Sequence, residues 1–140
     1  MNRIRIGLII NPFAGVGGAV GLKGSDGDAI VEQAQAMGAE KRAAQRVAIT
    51  LEHLVEFREV IQWLTWGGEM GEDSLHDAGF SCQVLGRPGT LHSSASDTVN
   101  AAVTLRDAGI DLLLFAGGDG TARDIASAVG TTVSVLGIPA

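Results

Sequence analysis

A single cysteine stands among 140 residues, so Cys82 can close no internal disulfide and build no cysteine-based zinc cage. One thiol suits a reducing compartment, and a cytoplasmic location is the expectation. Basic residues are also scarce: 10 Lys and Arg face 16 Asp and Glu, giving a net charge of −6 with no basic cluster. A polyanion such as nucleic acid would be repelled by that balance. Long apolar runs are missing, none approaching the ~18 residues that a membrane span needs. The N-terminal "MNRIRIGLIINPF" is cut short by Asn11-Pro12 and is followed by no close cleavage site, so it is read as a first strand and not an export signal. Aromatics make up 4% of the chain, and Trp63 and Trp66 are expected in packing roles. His53, His76 and His92 show no metal-ligand spacing. With no internal repeat, charge run or interdomain linker, residues 1–140 are expected to form one domain.

What is present alternates between strand and helix. "RIRIGLII" (3–10) is β-branched and ends at a turn pair, which predicts a buried strand. The glycine-rich stretch 11–27 predicts a loop, 28–37 and 40–57 two helices, and "REVIQWLTW" (58–66) a second strand. A short helix is predicted over 68–79 and a third strand over 80–86, with Cys82 as a small buried residue. Ser94 and Asp97 have the spacing of a capping box opening a helix over 96–108, and Gly109 closes it. "IDLLLFA" (110–116) shows no alternation, as in a strand covered on both faces. A helix over 121–129 and a strand over 132–138 complete a β-α-β unit. The pattern implies an α/β three-layer sandwich with a mainly parallel sheet, whose ligands bind outside the carboxyl ends of the strands. The last strand is expected to leave an apolar face for a partner domain.

The glycines fail three phosphate-loop patterns. "GVGGAV" from Gly15 has Val20 where the dinucleotide fingerprint needs its last glycine, Lys23 is not followed by Ser or Thr, and Ser25 has no Gly-x-Ser-x-Gly frame. "GGDGT" (117–121) remains, lying where a strand ends and a helix begins. Gly117, Gly118 and Gly120 let backbone amides approach a ligand, and the helix N-terminus favours phosphate. Asp119 would accept a proton from a substrate hydroxyl or bind magnesium that accompanies nucleotide phosphates; helix capping is the plainer alternative. Lys23, the cation within the first glycine loop, has the charge to meet a phosphate oxygen. Asp26 and Asp28 read as turn and cap residues, and Arg123 as either a phosphate contact or a surface ion pair.

Together "IINPFAGVGG", "GLKGSDG", "SASDT", "DLLLFAGGDGTARDI" and "LGIPA" resemble the ATP-NAD kinase superfamily, in the branch of NAD kinase-like proteins that includes acetoin-catabolism protein X. The similarity runs the length of the chain. It implies the N-terminal domain of an NAD kinase/phosphofructokinase-like fold and the transfer of a phosphoryl group from ATP or polyphosphate to the 2′-hydroxyl of NAD, giving NADP. By resemblance Asp119 is the base, Gly117, Gly118, Gly120 and Thr121 line the nucleotide, and Asn11, Pro12 and Gly15 form the facing loop. ATP, NAD and Mg2+ are the implied cofactors. The family's second, β-rich domain, with its NAD-binding Asn-Glu/Asp motif and oligomer contacts, has no counterpart here. A homo-oligomer or a missing C-terminal domain is therefore an expected partner, and the alternative to an enzyme is a non-catalytic nucleotide-binding module. A lipid or sphingoid kinase domain is a weaker match, because "GLKGSDG" and "TARD" resemble the NAD kinase-like branch better.

Overall fold

The structure, a computed structural model, describes residues 3–11, 42–89 and 95–139. The glycine-rich stretch from Pro12 onward, the helix expected over 28–37 and the Ser94 end of the capping box lie outside those residues.

Apolar strands of length 3 to 7 residues build one sheet: β1 (Ile4–Ile10), β2 (Ile61–Thr65), β3 (Cys82–Val84), β4 (Leu112–Ala116) and β5 (Ser134–Ile138). All four pairings are parallel, and the spatial order is β3-β2-β1-β4-β5. The helices are α1 (42–52), α2 (Glu72–Asp77), α3 (Ala95–Asp107) and α4 (Asp119–Val129).

A parallel sheet must be covered on both faces, and each face has its own core. Ile6, Leu8 and Ile10 of β1, with Leu114 and Ala116 of β4, pack against Ala43, Val47 and Leu51 of α1 and Leu75 of α2. The opposite face carries Ile9, Leu64, Leu113 and Phe115, which meet Ala101, Ala102 and Leu105 of α3 and Ile125 and Val129 of α4. The three-layer α/β sandwich with a parallel sheet is thus what forms. Its central strands alternate between two cores, which is why "LLLFA" shows no polar position. Gly7 belongs to this packing: a Cβ there would lie 2.9 Å from Ile110 Cδ1 and 3.1 Å from Leu113 Cδ1.

Two elements end earlier than their composition suggests. The helix expected over 40–57 stops at 52 and gives way to a turn and a 3-10 segment, Val55–Phe57. The chain must reverse there to enter β2, and Val60 donates to Phe57 O while Ile4 donates to Val60 O, both at 2.9 Å. The helix expected over 68–79 is split into a 3-10 turn, Gly68–Met70, and α2. Gly71 makes the split with φ 156°, and a Cβ there would overlap Thr65 Oγ1. That hydroxyl is itself buried and donates to Leu8 O at 2.7 Å, so it has little freedom to give way. Gly109, with φ +85°, ends α3 as expected.

Trp63 is 1% exposed, with its ring 5.4 Å from that of Phe80, and Trp66 is also buried. Cys82 is half-buried, less enclosed than its apolar neighbours implied, and burial together with the charge of Glu72 pushes its thiol pKa up. Edge strand β5 leaves Val135 and Leu136 exposed. Among the described residues no helix is long and apolar enough to cross a membrane.

Candidate functional site

Strand order decides where a ligand can enter. From β1 the chain builds outward through β2 to β3, with α1 and α2 on one face; it then returns past β1 to β4 and β5, with α3 and α4 on the other. The reversal falls between β1 and β4, and such a switch point leaves a crevice at the carboxyl ends of the strands. Two segments flank that seam, Asn11 after β1 and Gly117–Gly118 after β4.

They are joined across it. The Asn11 backbone N–H donates to Ala116 O at 2.9 Å, and its side-chain Nδ2 donates to Thr121 Oγ1 at 2.9 Å. Thr121 is buried at 4% exposure and lies over Gly117, where a Cβ would come within 2.5 Å of the Thr121 hydroxyl oxygen. Gly117 therefore has a packing reason to be glycine. Gly118 and Gly120 have none among the described residues: an added Cβ would meet nothing of them within 4 Å at either, and neither has a positive φ. Among the described residues, that leaves bare main chain at a helix start with nothing packed against it.

Helix α4 begins two residues before the predicted 121. Gly118 is its N-cap, with no side-chain cap, and Asp119 lies in the first turn, so the capping alternative for Asp119 does not hold. Ala122 N–H is the first amide here to reach a helical acceptor, Gly118 O at 3.0 Å. The amides before it point out of the helix end, and the exposed Asp119 stands among them. Beside them a cleft of about 360 Å³ opens between β4 and β5, lined by Phe115, Gly117, Gly118, Asp119, Gly137 and Pro139 among others. Sequence reasoning did not assign Phe115, Gly137 or Pro139 to the site, although "LGIPA" was a signal for the last two. A larger concavity of about 660 Å³ lies ahead of β2, at the amino edge of that strand. Its lining of Glu52, Glu56 and Glu59 against Arg58 and His53 is a poor host for phosphate.

Of the predicted site residues, Asn11, Gly117, Gly118, Asp119, Gly120 and Thr121 come together at one edge; Pro12, Gly15 and Lys23 lie outside the described residues. Arg123 is exposed one turn further along α4. Asp97 is buried, and its carboxylate accepts from Gly89 N–H at 3.2 Å, which ties the segment after β3 to the start of α3.

A third glycine-rich turn, "GGEMG" after β2, shares the carboxyl edge, but its amides are engaged internally. Gly67 donates to Gly86 O at 2.7 Å and Gly68 to Glu72 Oε1 at 3.0 Å. Glu72 also accepts from Arg87, at 2.9 Å to Nη1 and 3.3 Å to Nη2. The Gly68 amide first, and then Arg87, hold the Glu72 carboxyl below the usual glutamate range. Its contribution to stability is therefore present at neutral pH and is lost as pH falls through the depressed folded value. Glu72→Gln is expected to lower stability slightly at neutral pH, the pair being exposed, and the two stability curves should converge as pH falls, so that the acid limb of the variant is flatter. Urea unfolding midpoints from neutral to acid pH measure this, and parallel curves for the two proteins would refute it.

An open, all-parallel α/β domain with a glycine-framed carboxylate at its switch point is the class that fold and site define. Within it, this chain belongs to the ATP-NAD kinase N-terminal domain family, whose family model matches residues 6–140. No curated protein and no solved structure matches it.

Proposed function

We propose that the chain is the nucleotide-binding part of an NAD kinase-like phosphotransferase, in which Asp119 removes the proton from the ribose 2′-hydroxyl of NAD. The hydroxyl oxygen then bonds to the terminal phosphorus of ATP or polyphosphate, the bond to the bridging oxygen breaks, and ADP or a shortened polyphosphate leaves with NADP as product. The single observation that carries this reading is Asp119, exposed in the first turn of α4 between Gly118 and Gly120, two glycines that packing among the described residues does not require. Phosphoryl transfer depends on positioning and charge stabilisation more than on covalent groups, so amides, one base and a cation suffice. Family membership supports ATP and NAD as the substrates.

Gly117, Gly118, Gly120 and Thr121 are assigned to the nucleotide, with Asn11, Pro12, Gly15 and Lys23 on the facing loop. Magnesium keeps several waters and takes one or two carboxylates beside substrate phosphates, and Asp119 offers one exposed carboxylate at this edge. When bound, the ion would offset phosphate charge. A cytoplasmic enzyme, completed by a second domain or a second copy, fits the same reading.

The test is NADP formation from NAD with ATP-Mg or polyphosphate, alongside calorimetric titration of ATP and NAD. Turnover is the expected result. Nucleotide binding without NADP would leave a non-catalytic module, and the absence of both would overturn the proposal.

A further inference from the structure

We infer that Asn11 is a positioning residue for the Gly117–Thr121 turn, acting through Thr121 to aim Asp119 and the first amides of α4 at the ligand. This rests on the nucleotide reading of that edge. The turn is poorly held by its own residues: Gly117 and Gly118 have no side chains, the helix has no side-chain cap, and Gly120 adds a third flexible position. Among the described residues, the side-chain hydrogen bond that reaches this first turn from another element is that of Asn11 Nδ2 to Thr121 Oγ1, at 2.9 Å and 110 residues apart in sequence.

Both ends of this strap are anchored. Asn11 is held to the sheet by its own N–H on Ala116 O. Thr121 is buried, and its side chain fills the space that a Cβ on Gly117 would need, so the two residues pack directly over one another. The bond spans the β1/β4 seam and ties the end of β1 to the turn whose Gly117, Gly118 and Asp119 line the cleft beside β4 and β5. Asn11 also follows a strand whose register against β4 pairs Ile10 with Ala116, which leaves little slack in the position of its carboxamide.

The consequence is a coupling that can be measured in the full chain. Asn11→Leu and Thr121→Val, each close in size to the residue replaced, are expected to lower kcat about tenfold and to raise KM for ATP by a clearly smaller factor, because misaligned groups cost rate more than affinity. Amide exchange at Gly118 to Thr121 should rise in both variants, and the double variant should lose no more than either single one. Thr121→Ser keeps the hydroxyl and should restore both readouts. Additive losses, a raised KM with kcat unchanged, or failure of Ser to restore would each overturn the inference. Asn11→Ser serves in place of Asn11→Leu where the latter does not fold. If the wild-type chain makes no NADP, the exchange measurement still decides: increased exchange in both variants upholds the strap and sinks only the kinase reading, and unchanged exchange sinks the strap.

Discussion

Asp119→Asn is expected to reduce NADP formation by a factor of roughly 10² to 10⁴, the usual contribution of a positioned general base, while ATP affinity stays within a few fold. The substitution keeps the size and place of the side chain in the first turn of α4 and removes only its capacity to take a proton. Because Asp119 is exposed, makes no cap bond and packs against no core, the variant should unfold within about 1 kcal/mol of wild type. Two opposing effects act on binding. A carboxylate beside incoming phosphates repels them, so its loss favours nucleotide binding; any magnesium held by the same oxygen favours the wild type. Their near-cancellation is why affinity should move little while rate moves much. Initial rates with ATP-Mg and NAD, compared with calorimetric titration, measure both quantities. A variant turning over at the wild-type rate would show that another group takes the proton.

The largest effect on stability is expected at Trp63. Its ring is 1% exposed in the core under α1 and α2 and lies 5.4 Å from Phe80 at a tilt of 59°. Truncation to alanine removes the burial and leaves a cavity, at a cost of about 3 to 5 kcal/mol, against a total of only about 5 to 15 for a domain of this size. Loss of the ring pair accounts for ~0.5–1.5 of that figure. Trp63→Phe should cost less than half as much, for a specific reason. The indole Nε1 is buried without a hydrogen-bond partner among the described residues, so phenylalanine keeps an aromatic contact and removes an unsatisfied donor. Urea unfolding followed by circular dichroism distinguishes the two variants, and an alanine variant within 1 kcal/mol of wild type would contradict the packing described.

Much of the architecture was legible because it is local. The unbroken apolar run at 112–116 reads as a strand covered on both faces, and it is sandwiched between two cores. Gly109 reads as a helix stop, and its φ of +85° is a conformation that glycine adopts without strain. "GGDGT" reads as a strand-to-helix junction, and it is one, at the carboxyl end of β4, with the helix starting two residues early because Asp119 and Gly120 can occupy its first turn. The misreadings share one cause. Composition favoured helix across 53–57 and 68–71, but the chain has to enter β2 at the first and clear Thr65 at the second. The first is set by the pairing of Ile4 with Val60, and the second by Thr65, whose hydroxyl is fixed on Leu8 O; both reach back to β1. Asp97 was read as one end of a capping box whose Ser94 lies outside the described residues; its carboxylate accepts from Gly89 N–H, a contact set by the return of the chain.

From the sequence alone came the class of fold, the parallel sheet with covered faces and the acid among glycines, because strand period, glycine freedom and helix starts are properties of neighbouring residues. Only the tertiary structure decided the order β3-β2-β1-β4-β5, the seam it creates, and the bond from Asn11 to Thr121 across that seam. Strand order is chosen by how two helical layers share one sheet, and no short stretch of chain carries that information. Gly118 and Gly120 look like the other glycines in sequence, and only packing reveals that nothing among the described residues calls for them.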